Sequence, residues 1–369
     1  MLWLLAAAAF ALAYANGAND TFKGVATLYG SRTLGYRPAL WWATGATLAG
    51  CLAALALSGG LLMAFSGTGL VPEALIHQPA FLAAVAAGAA ATILLATRAG
   101  WPVSTTHALI GALVGAGLAA AGGVRLAQLG RSFVMPLAVS PVLSLAVTAA
   151  LYPALRALRL GLGVERRMCL CVEGGAVEPV QLRSGGTAVL AGSGLTLTVA
   201  QLEQCAERYA GRVFGVDAQW ILDRLHVASA GAVSFARGAN DAPKIAALLL
   251  AAGGLGLNGS ASLLAVGAAM AAGGLLNARR VALTMSHRIT AMNHGQGFTA
   301  NLVTAFLVLC ASRWGLPVST THVSCGSLFG LGASTGRAQW PTVRSILLSW
   351  VLTLPCAALS AAGVYALLR

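Results

Sequence analysis

One short polar motif occurs twice, once in each half of a largely apolar chain. The first copy is Asn16-Gly17-Ala18-Asn19-Asp20 and the second is Gly238-Ala239-Asn240-Asp241. An Asp at bilayer depth is costly, by about 2.5–3.5 kcal/mol on insertion scales. Glycine can let a helix unwind and free carbonyls, and these oxygens with those of Asn and Asp are hard ligands of the kind that Na⁺ accepts. The duplication indicates two half-sites for an ion or a polar substrate.

Each half also carries a hydroxyl-rich motif. The run Pro102-Val103-Ser104-Thr105-Thr106-His107 recurs as Pro317-Val318-Ser319-Thr320-Thr321-His322. Pro is favoured in the first turn of a helix and Ser and Thr are favoured caps, so each motif predicts a helix N-terminus. Free backbone N–H groups and the positive dipole end suit an anion there. Two such ends could surround a tetrahedral oxyanion, although Ser and Thr that bond to helix carbonyls are also common in membrane helices.

The candidate ligands follow from these two motifs. The candidate substrate-binding residues are Ser104, Thr105, Thr106, Ser319, Thr320, Thr321, Asp20 and Asp241. The candidate cation-binding residues are Asn19, Asp20, Asn240 and Asp241. Phosphate still carries a proton near neutral pH, whereas sulfate does not. A carboxylate that faces the ligand would therefore favour phosphate, and a carboxylate engaged with a cation would discriminate less.

Three basic residues accompany the carboxylates and are expected to tune the charge of the site. Lys23 and Lys244 each follow an Asp by three residues, which is one helical turn. A Lys–Asp pair would lower the cost of burying both groups. Alternatively, the ammonium could occupy the space that a cation would otherwise take, and coupling would then run on H⁺ rather than Na⁺. Arg237 directly precedes the second polar motif and could attract anions.

The histidines that close the hydroxyl motifs allow other chemistry. His107 and His322 could shuttle protons, or each ring could simply bond to a facing helix. Ser104 and His107 could form the nucleophile and base of a membrane-embedded hydrolase, but a duplicated pair suits symmetric transport better than single-site catalysis. An oxyanion receptor is a further alternative. We expect no catalytic residues, no enzyme activity, no cofactor and no metal ion other than Na⁺.

The composition predicts a polytopic membrane protein. The 369 residues are 58% hydrophobic and 9% charged, with a mean hydropathy of +0.79, whereas soluble domains carry about 25% charged residues. The net charge of +13 fits cytoplasmic loop charge, and without a soluble domain to present it we expect no nucleic-acid partner. Residues 1–15 resemble a signal peptide that lacks a basic start, and we expect them to be a retained membrane segment.

Ten apolar segments predict the membrane helices. They lie at 1–28, 39–66, 79–97, 102–122 and 132–155, and at 218–252, 259–277, 297–313, 317–333 and 343–368. Most are long enough to span, since about 20 residues cross the hydrocarbon core. The Gly-rich segments 102–122 and 317–333 are expected to be broken or re-entrant. The predicted domains are a first membrane repeat (1–155), a cytoplasmic polar insert (156–216) and a second membrane repeat (217–369).

An odd number of crossings in each half would invert the second repeat relative to the first. The predicted fold class is therefore an all-α polytopic membrane protein with two inverted-topology repeats and broken or re-entrant helices, as in many secondary transporters. Most arginines fall on one side, which is then cytoplasmic, with both termini outside. The cytoplasmic group is Arg32, Arg37, Arg98, Arg156, Arg159, Arg166, Arg167, Arg279, Arg280 and Arg288, and the opposite group is Arg125, Arg131, Arg313 and Arg369.

The polar insert has weaker signals. Runs at 168–172 and 187–190 have strand character, and Thr198 begins a capping box that predicts a short helix through about Tyr209. Asp217 is expected to cap the helix that leads into the second repeat. Cys169 and Cys171 form a C-x-C pair, for which free thiols are favoured over a metal or redox site. A plain connector is favoured over a regulatory role.

The paired motifs resemble the signatures of the inorganic phosphate transporter (PiT) family. The matching residues are 17–20, 238–241 and the two Pro-Val-Ser-Thr-Thr-His blocks, and the stretch from Gly297 to Ser312 is also similar to the family pattern. The resemblance implies a homodimeric symporter that imports inorganic phosphate with Na⁺ or H⁺ across the cell (inner) membrane. It also implies that the Asn, Asp, Ser and Thr positions named above line the substrate and cation sites.

The sequence departs from the family pattern directly after each Asp. Thr21-Phe22-Lys23 and Ala242-Pro243-Lys244 replace the small and polar residues that are usual there. This departure leaves the coupling ion open between Na⁺ and H⁺. Some members of the family resemble this layout and are thought to carry sulfate, so sulfate or another tetrahedral oxyanion is the alternative substrate.

Overall fold

The computed structural model of the chain describes residues 1–57, 59–120, 123–167, 208–253, 256 and 258–369. These residues form helices joined by short connections. The α-helices are α1 (Leu2–Asp20), α2 (Ala26–Gly30), α3 (Tyr36–Leu57), α4 (Gly59–Phe65), α5 (Glu73–Ile76), α6 (Pro79–Ala99), α7 (Thr105–Ala119), α8 (Leu126–Leu129), α9 (Met135–Gly161), α10 (Ala218–Ala251), α11 (Gly259–Asn277), α12 (Arg279–Leu283), α13 (His294–Arg313), α14 (Thr320–Thr335) and α15 (Trp340–Leu368). A 3₁₀ turn at Thr21–Gly24 and π-helical turns at Gly130–Val134 and Thr284–Arg288 join neighbouring helices.

The longer helices coincide with the ten predicted segments. In the part of the chain that the structure describes, seven helices are long and apolar enough to cross a membrane, so the chain is a multi-pass membrane protein. Helices α7 and α14 have 15 and 16 residues. At 1.5 Å per residue they reach about 22 and 24 Å, which is less than the roughly 30 Å hydrocarbon core. Each helix alone is therefore shorter than a simple span, and each begins at buried residues, as expected for broken or re-entrant segments.

The two halves of the chain interleave. Helix α1 packs on α11 and α10 packs on α3, while α7 lies against α15 and α14 lies against α9. Glycines allow these approaches, because a Cβ added at Gly115 would lie 2.0 Å from the Ala358 carbonyl oxygen, and one at Gly330 would lie 2.3 Å from that of Leu145. Each short helix therefore packs on the last helix of the opposite half, and the core depends on both halves.

The two Gly-Ala-Asn-Asp motifs differ in backbone conformation. Helix α1 ends at Asp20 and continues as the 3₁₀ turn, so the first motif ends a helix as expected. Helix α10 runs from Ala218 to Ala251 through the second motif without a break. The expected unwinding there is wrong. Gly238 instead permits close packing, because an added Cβ would lie 2.1 Å from the Thr47 carbonyl oxygen.

The first and last described residues of the polar insert lie side by side, because they form paired strands. Strand β1 (Glu165–Arg167) pairs antiparallel with β2 (Arg208–Ala210), and β3 (Arg212–Val213) pairs with β4 (Val216–Asp217). Asp217 caps α10 as predicted, because its side chain accepts the Trp220 N–H at 2.8 Å. Tyr209 lies in β2 and not at the end of a helix. The other elements predicted for the insert, with Cys169 and Cys171, lie outside the described residues.

We expect Gly115→Ala to lower the free energy of unfolding by about 1–3 kcal/mol, because the new methyl group must displace the α15 backbone. Gly45→Ala in α3 is the matched control, since no atom of the described residues lies within 4 Å of its added Cβ. The control should be neutral or slightly stabilising, because Ala favours a helix over Gly by about 1 kcal/mol. Thermal unfolding of both variants in detergent measures the difference, and equal Tm values would contradict this packing.

Candidate functional site

The hydroxyl motifs start two helices, as predicted. Ser104 is the N-cap of α7 and Ser319 is the N-cap of α14, and both have φ −97° and ψ 118°. The Ser104 Oγ accepts the His107 N–H at 3.1 Å, and the Ser319 Oγ accepts the His322 N–H at 3.2 Å. In this conformation the two serines cap their helices. The first-turn amides, which have no intrahelical partner, are then the donors available to an anion.

The N-termini of α7 and α14 meet across the two halves of the chain. The Thr106 hydroxyl donates to the Val318 carbonyl at 3.3 Å, and the Thr321 hydroxyl donates to the Val103 carbonyl at 2.8 Å. Each hydroxyl thus reaches the extended segment that precedes the other helix. The positive ends of both helix dipoles therefore lie in one shared region.

The carboxylates of the polar motifs lie in the same region. The Thr105 hydroxyl donates to the Asp20 Oδ2 at 3.0 Å, and the Thr320 hydroxyl donates to the Asp241 Oδ2 at 3.2 Å. Both Asp residues are only 1% exposed. The structure therefore brings the predicted Asp and Thr residues of both halves into one buried cluster.

Lys23 binds four oxygens in the first half-site. Its Nζ donates to the Asp20 carboxylate and to the Asn19 Oδ1 at 2.8 Å. It also donates to the Val103 carbonyl at 2.9 Å and to the Thr321 hydroxyl at 2.7 Å. A carboxylate, a side-chain amide, a backbone carbonyl and a hydroxyl therefore surround one ammonium group.

Lys244 has the equivalent partners in the second half-site. Its Nζ donates to the Asn240 Oδ1 and, at 3.1 Å, to the Asp241 Oδ1. The Val318 carbonyl and the Thr106 hydroxyl each lie 2.9 Å away. The two lysines thus occupy matching oxygen cages, which we call the Lys23 cage and the Lys244 cage.

Two asparagines tie these cages to the neighbouring helices. The Asn19 Nδ2 donates to the Thr97 hydroxyl at 2.8 Å and to the Trp101 carbonyl at 3.0 Å. The Asn240 Nδ2 donates to the Ser312 hydroxyl at 2.9 Å. Both amides therefore direct Oδ1 at an ammonium. Sequence reasoning missed Thr97 and Ser312, because isolated hydroxyls in apolar helices often bond to their own helix.

Asn16 links the two half-sites and was not among the predicted ligands. Its Nδ2 donates to the Asp20 Oδ2 and the Thr105 hydroxyl, both at 2.8 Å, and lies 3.5 Å from the Asp241 Oδ2. Its buried Oδ1 has no hydrogen-bond partner in the part of the chain that the structure describes. The signal for Asn16 was its position directly before the first Gly-Ala-Asn-Asp motif.

Arg237 is buried without a carboxylate partner among the described residues. Its Nη2 donates to the Thr21 hydroxyl at 3.3 Å, and its Nε and Nη1 have no partner. In the described part of the chain the buried Asp, Glu, Lys and Arg residues are Asp20, Lys23, Arg237, Asp241 and Lys244. Each lysine is paired with an Asp, so one positive charge remains. A buried cation without a counter-charge is costly, and an anion would offset that cost.

The two motif histidines contact each other. Their ring centroids are 4.5 Å apart, and the His322 ring stacks on Trp350 with centroids 3.9 Å apart. The His322 Nδ1 lies 3.3 Å from the Leu137 carbonyl oxygen of α9, which is the predicted contact with a facing helix. The Ser104 hydroxyl bonds to the backbone of His107 and not to its ring. This arrangement is a helix cap and not a nucleophile–base pair.

A second polar cluster lies near the start of α10, and sequence reasoning missed it. The His294 Nδ1 is 2.6 Å from the Asp223 Oδ1 and 3.2 Å from the Thr33 hydroxyl. The same hydroxyl is 3.1 Å from the His226 Nδ1, whose Nε2 is 3.1 Å from the Thr27 hydroxyl. These contacts lead inward from Asp223, whose side chain is 39% exposed. The i,i+3 spacing of Asp223 and His226 on one helix was the available signal.

Comparison with known proteins identifies the class. The sequence profile described as "Phosphate transporter family" matches residues 16–361, and the chain belongs to this family. It is 30% identical over 377 residues to the "Probable low-affinity inorganic phosphate transporter" of Rhizobium meliloti (strain 1021), covering 99% of this chain and 95% of that protein.

Two further comparisons extend over most of the chain. The "Inorganic phosphate transporter 2-1, chloroplastic" of Arabidopsis thaliana is 28% identical over 416 residues, covering 95% of this chain and 69% of that protein. A solved structure called "The sodium-dependent phosphate transporter" aligns with a TM-score of 0.76 at 22% identity, covering 100% of this chain and 98% of that one. The chain therefore shares the fold of that structure.

We expect Ser104→Ala to lower the free energy of unfolding by about 1 kcal/mol, because it removes the N-cap of α7. Ser104→Thr keeps a capping hydroxyl and is the matched control. Thermal unfolding of both variants in detergent measures the effect. A Ser104→Ala protein with the Tm of the unmodified chain would show that the cap contributes nothing to stability.

Proposed function

We propose that the protein is a secondary active symporter that imports inorganic phosphate across the cell (inner) membrane with Na⁺ or H⁺. The observation that carries this proposal is the meeting of the α7 and α14 N-termini through Thr106 and Thr321. Two positive dipole ends and their first-turn amides provide neutral donors for a tetrahedral oxyanion. Membership of the phosphate transporter family supports phosphate as that anion.

The charge of the buried cluster supports an anionic substrate. The two lysines offset the two carboxylates, and Arg237 leaves one positive charge. A phosphate monoanion would neutralise it. Among the described residues the Nε and Nη1 of Arg237 have no partner, and each can donate to a phosphate oxygen, because guanidinium carries several N–H donors and suits phosphate. In this proposal Arg237 attracts the substrate, and Thr105 and Thr320 orient the carboxylates beside it.

The arrangement of the two halves supports alternating access as the transport mechanism. The matching helix pairs α1–α11 and α3–α10 support inverted repeats that move relative to each other around the cluster. The hydrogen bonds of Thr106 and Thr321 cross between the halves, so they would break and form during that motion. The arginine distribution supports both termini outside and the 156–216 insert in the cytoplasm. We also propose a homodimer.

Sulfate is the second candidate substrate, and one observation favours it. Asp20 and Asp241 are each engaged with a lysine. A carboxylate that already binds a cation is a poorer acceptor for the proton of phosphate. The site would then distinguish a protonated from an unprotonated oxyanion less strongly.

Transport into proteoliposomes tests the choice of substrate. We expect the purified protein to accumulate radiolabelled phosphate under an imposed Na⁺ or pH gradient, with unlabelled phosphate competing and sulfate competing poorly. Sulfate accumulation that phosphate cannot compete away would assign the protein to sulfate. Liposomes that accumulate neither anion under either gradient would contradict a secondary transporter of tetrahedral oxyanions.

Asp20→Asn and Asp241→Asn should each abolish concentrative phosphate uptake. Each substitution leaves a lysine without its carboxylate, and breaking a buried ion pair costs about 3–5 kcal/mol. Glu73→Gln is the matched control, because Glu73 is an exposed acid on α5, and it should keep uptake. Size-exclusion chromatography checks folding. Uptake at the unmodified level in both Asp variants would show that the carboxylates have only a structural role.

A further inference from the structure

We propose that the ammonium groups of Lys23 and Lys244 are built-in cations that fill the two sites where Na⁺ would otherwise bind, so that this transporter works without Na⁺. The inference rests on the proposed function, because it states which occupant the cation sites of that transporter hold. It also selects between the two coupling ions, since it leaves H⁺ as the ion that drives uptake.

The ligand sets of the two lysines are those of a hard cation. Each Nζ is bound by a carboxylate, a side-chain amide oxygen, a backbone carbonyl and a hydroxyl. Hard metal cations take the same oxygen types from proteins. A simple Lys–Asp pair would need only the carboxylate. The other three oxygens of each cage converge on one point, which is the geometry of a cation site.

Each cage joins the two halves of the chain. The Lys23 cage takes three oxygens from the first half and the Thr321 hydroxyl from the second. The Lys244 cage takes three from the second half and the Thr106 hydroxyl from the first. A dissociable ion at either position would make contact between the halves depend on ion binding. A tethered ammonium makes the same contact without any ion from solution.

The use of lysine in this chain is selective. The sequence has 23 lysine and arginine residues, and Lys23 and Lys244 are its only lysines. The others of these 23 residues, including the buried Arg237, are arginines. An ammonium is a compact point charge with three donors, whereas guanidinium is a planar fork. Lysine is therefore found only where a compact cation fits a cage of oxygens.

Electrostatics opposes a further cation in these cages. The charge of each Asp is already offset by its own lysine. A sodium ion sharing the oxygens of a cage would lie within a few ångströms of an ammonium, where like charges repel strongly in a buried site. The solved structure with the same fold is called sodium-dependent. In the present chain an ammonium already occupies each cage.

The first test measures phosphate uptake by the unmodified protein in proteoliposomes under a pH gradient, with Na⁺ replaced by choline at equal ionic strength. The expected uptake is the same in both media to within about two-fold. A loss of at least about ten-fold on removal of Na⁺ would overturn the inference. A protein that transports no phosphate in either medium contradicts the proposed function instead, and the second test then decides the inference.

The second test measures ion binding without transport. Lys23→Asn and Lys244→Asn shorten the side chain and leave oxygens around an empty position. We expect NaCl to raise the Tm of each variant by about 3 °C or more over choline chloride, because Na⁺ binds only the folded state. The unmodified protein should show no such difference. Lys23→Met and Lys244→Met are the matched controls, because they remove the charge but keep the cage filled.

Each outcome of the second test is decisive. A sodium-selective rise in Tm for the Asn variants, absent from the unmodified protein and the Met variants, supports the inference, and so does recovery of folded Asn variants only in NaCl. A rise of equal size in the unmodified protein overturns it. Asn variants that fold equally well in both salts also overturn it. If the Asn variants fold in neither salt, the response of the unmodified protein to Na⁺ decides the question.

Discussion

Two ionised carboxylates buried inside a membrane protein are costly unless a positive charge lies at hydrogen-bond distance. In this structure two lysines provide that charge. Asp20 and Asp241 each receive an ammonium from a lysine one turn further along the chain. That pairing confines both lysines to the interior. Their remaining oxygen partners are an asparagine of the same helical segment and groups in the connections and first turns of α7 and α14. The short helices are held in place by glycine contacts to the last helix of the opposite half. Ion pairing, helix capping and interleaved packing therefore depend on one another.

The same pairing determines which kind of ligand the cluster suits. With both carboxylates neutralised, the remaining buried charge is that of Arg237, and the dipoles of two helix N-termini add to it. The remaining positive charge then favours an anionic ligand, and the neutral N–H and O–H groups nearby can donate hydrogen bonds to it. Hydroxyls from one half contact the carbonyls of the other, so both halves contribute to the region where the two N-termini meet.

The features that depend only on neighbouring residues were largely predictable from the sequence. The ten apolar segments, the Ser104 and Ser319 caps and the Asp217 cap each depend on a few neighbouring residues, and the structure contains them. Contacts between distant segments were not predictable in the same way. Gly238 was expected to unwind a helix, but close packing against α3 lets α10 continue through it. Asn16 was not among the predicted ligands, and its contacts with α7 and α10 depend on packing between distant segments.

The central claim is that one oxyanion site forms where α7 and α14 meet, with its cations supplied by the protein. Equilibrium binding of radiolabelled phosphate to the purified chain in sodium-free choline buffer tests this claim most directly, with Asp20→Asn as the comparison. The account predicts saturable phosphate binding without sodium and a large loss of binding in the variant. Binding that appears only when sodium is added would contradict it, as would a chain that binds neither phosphate nor sulfate.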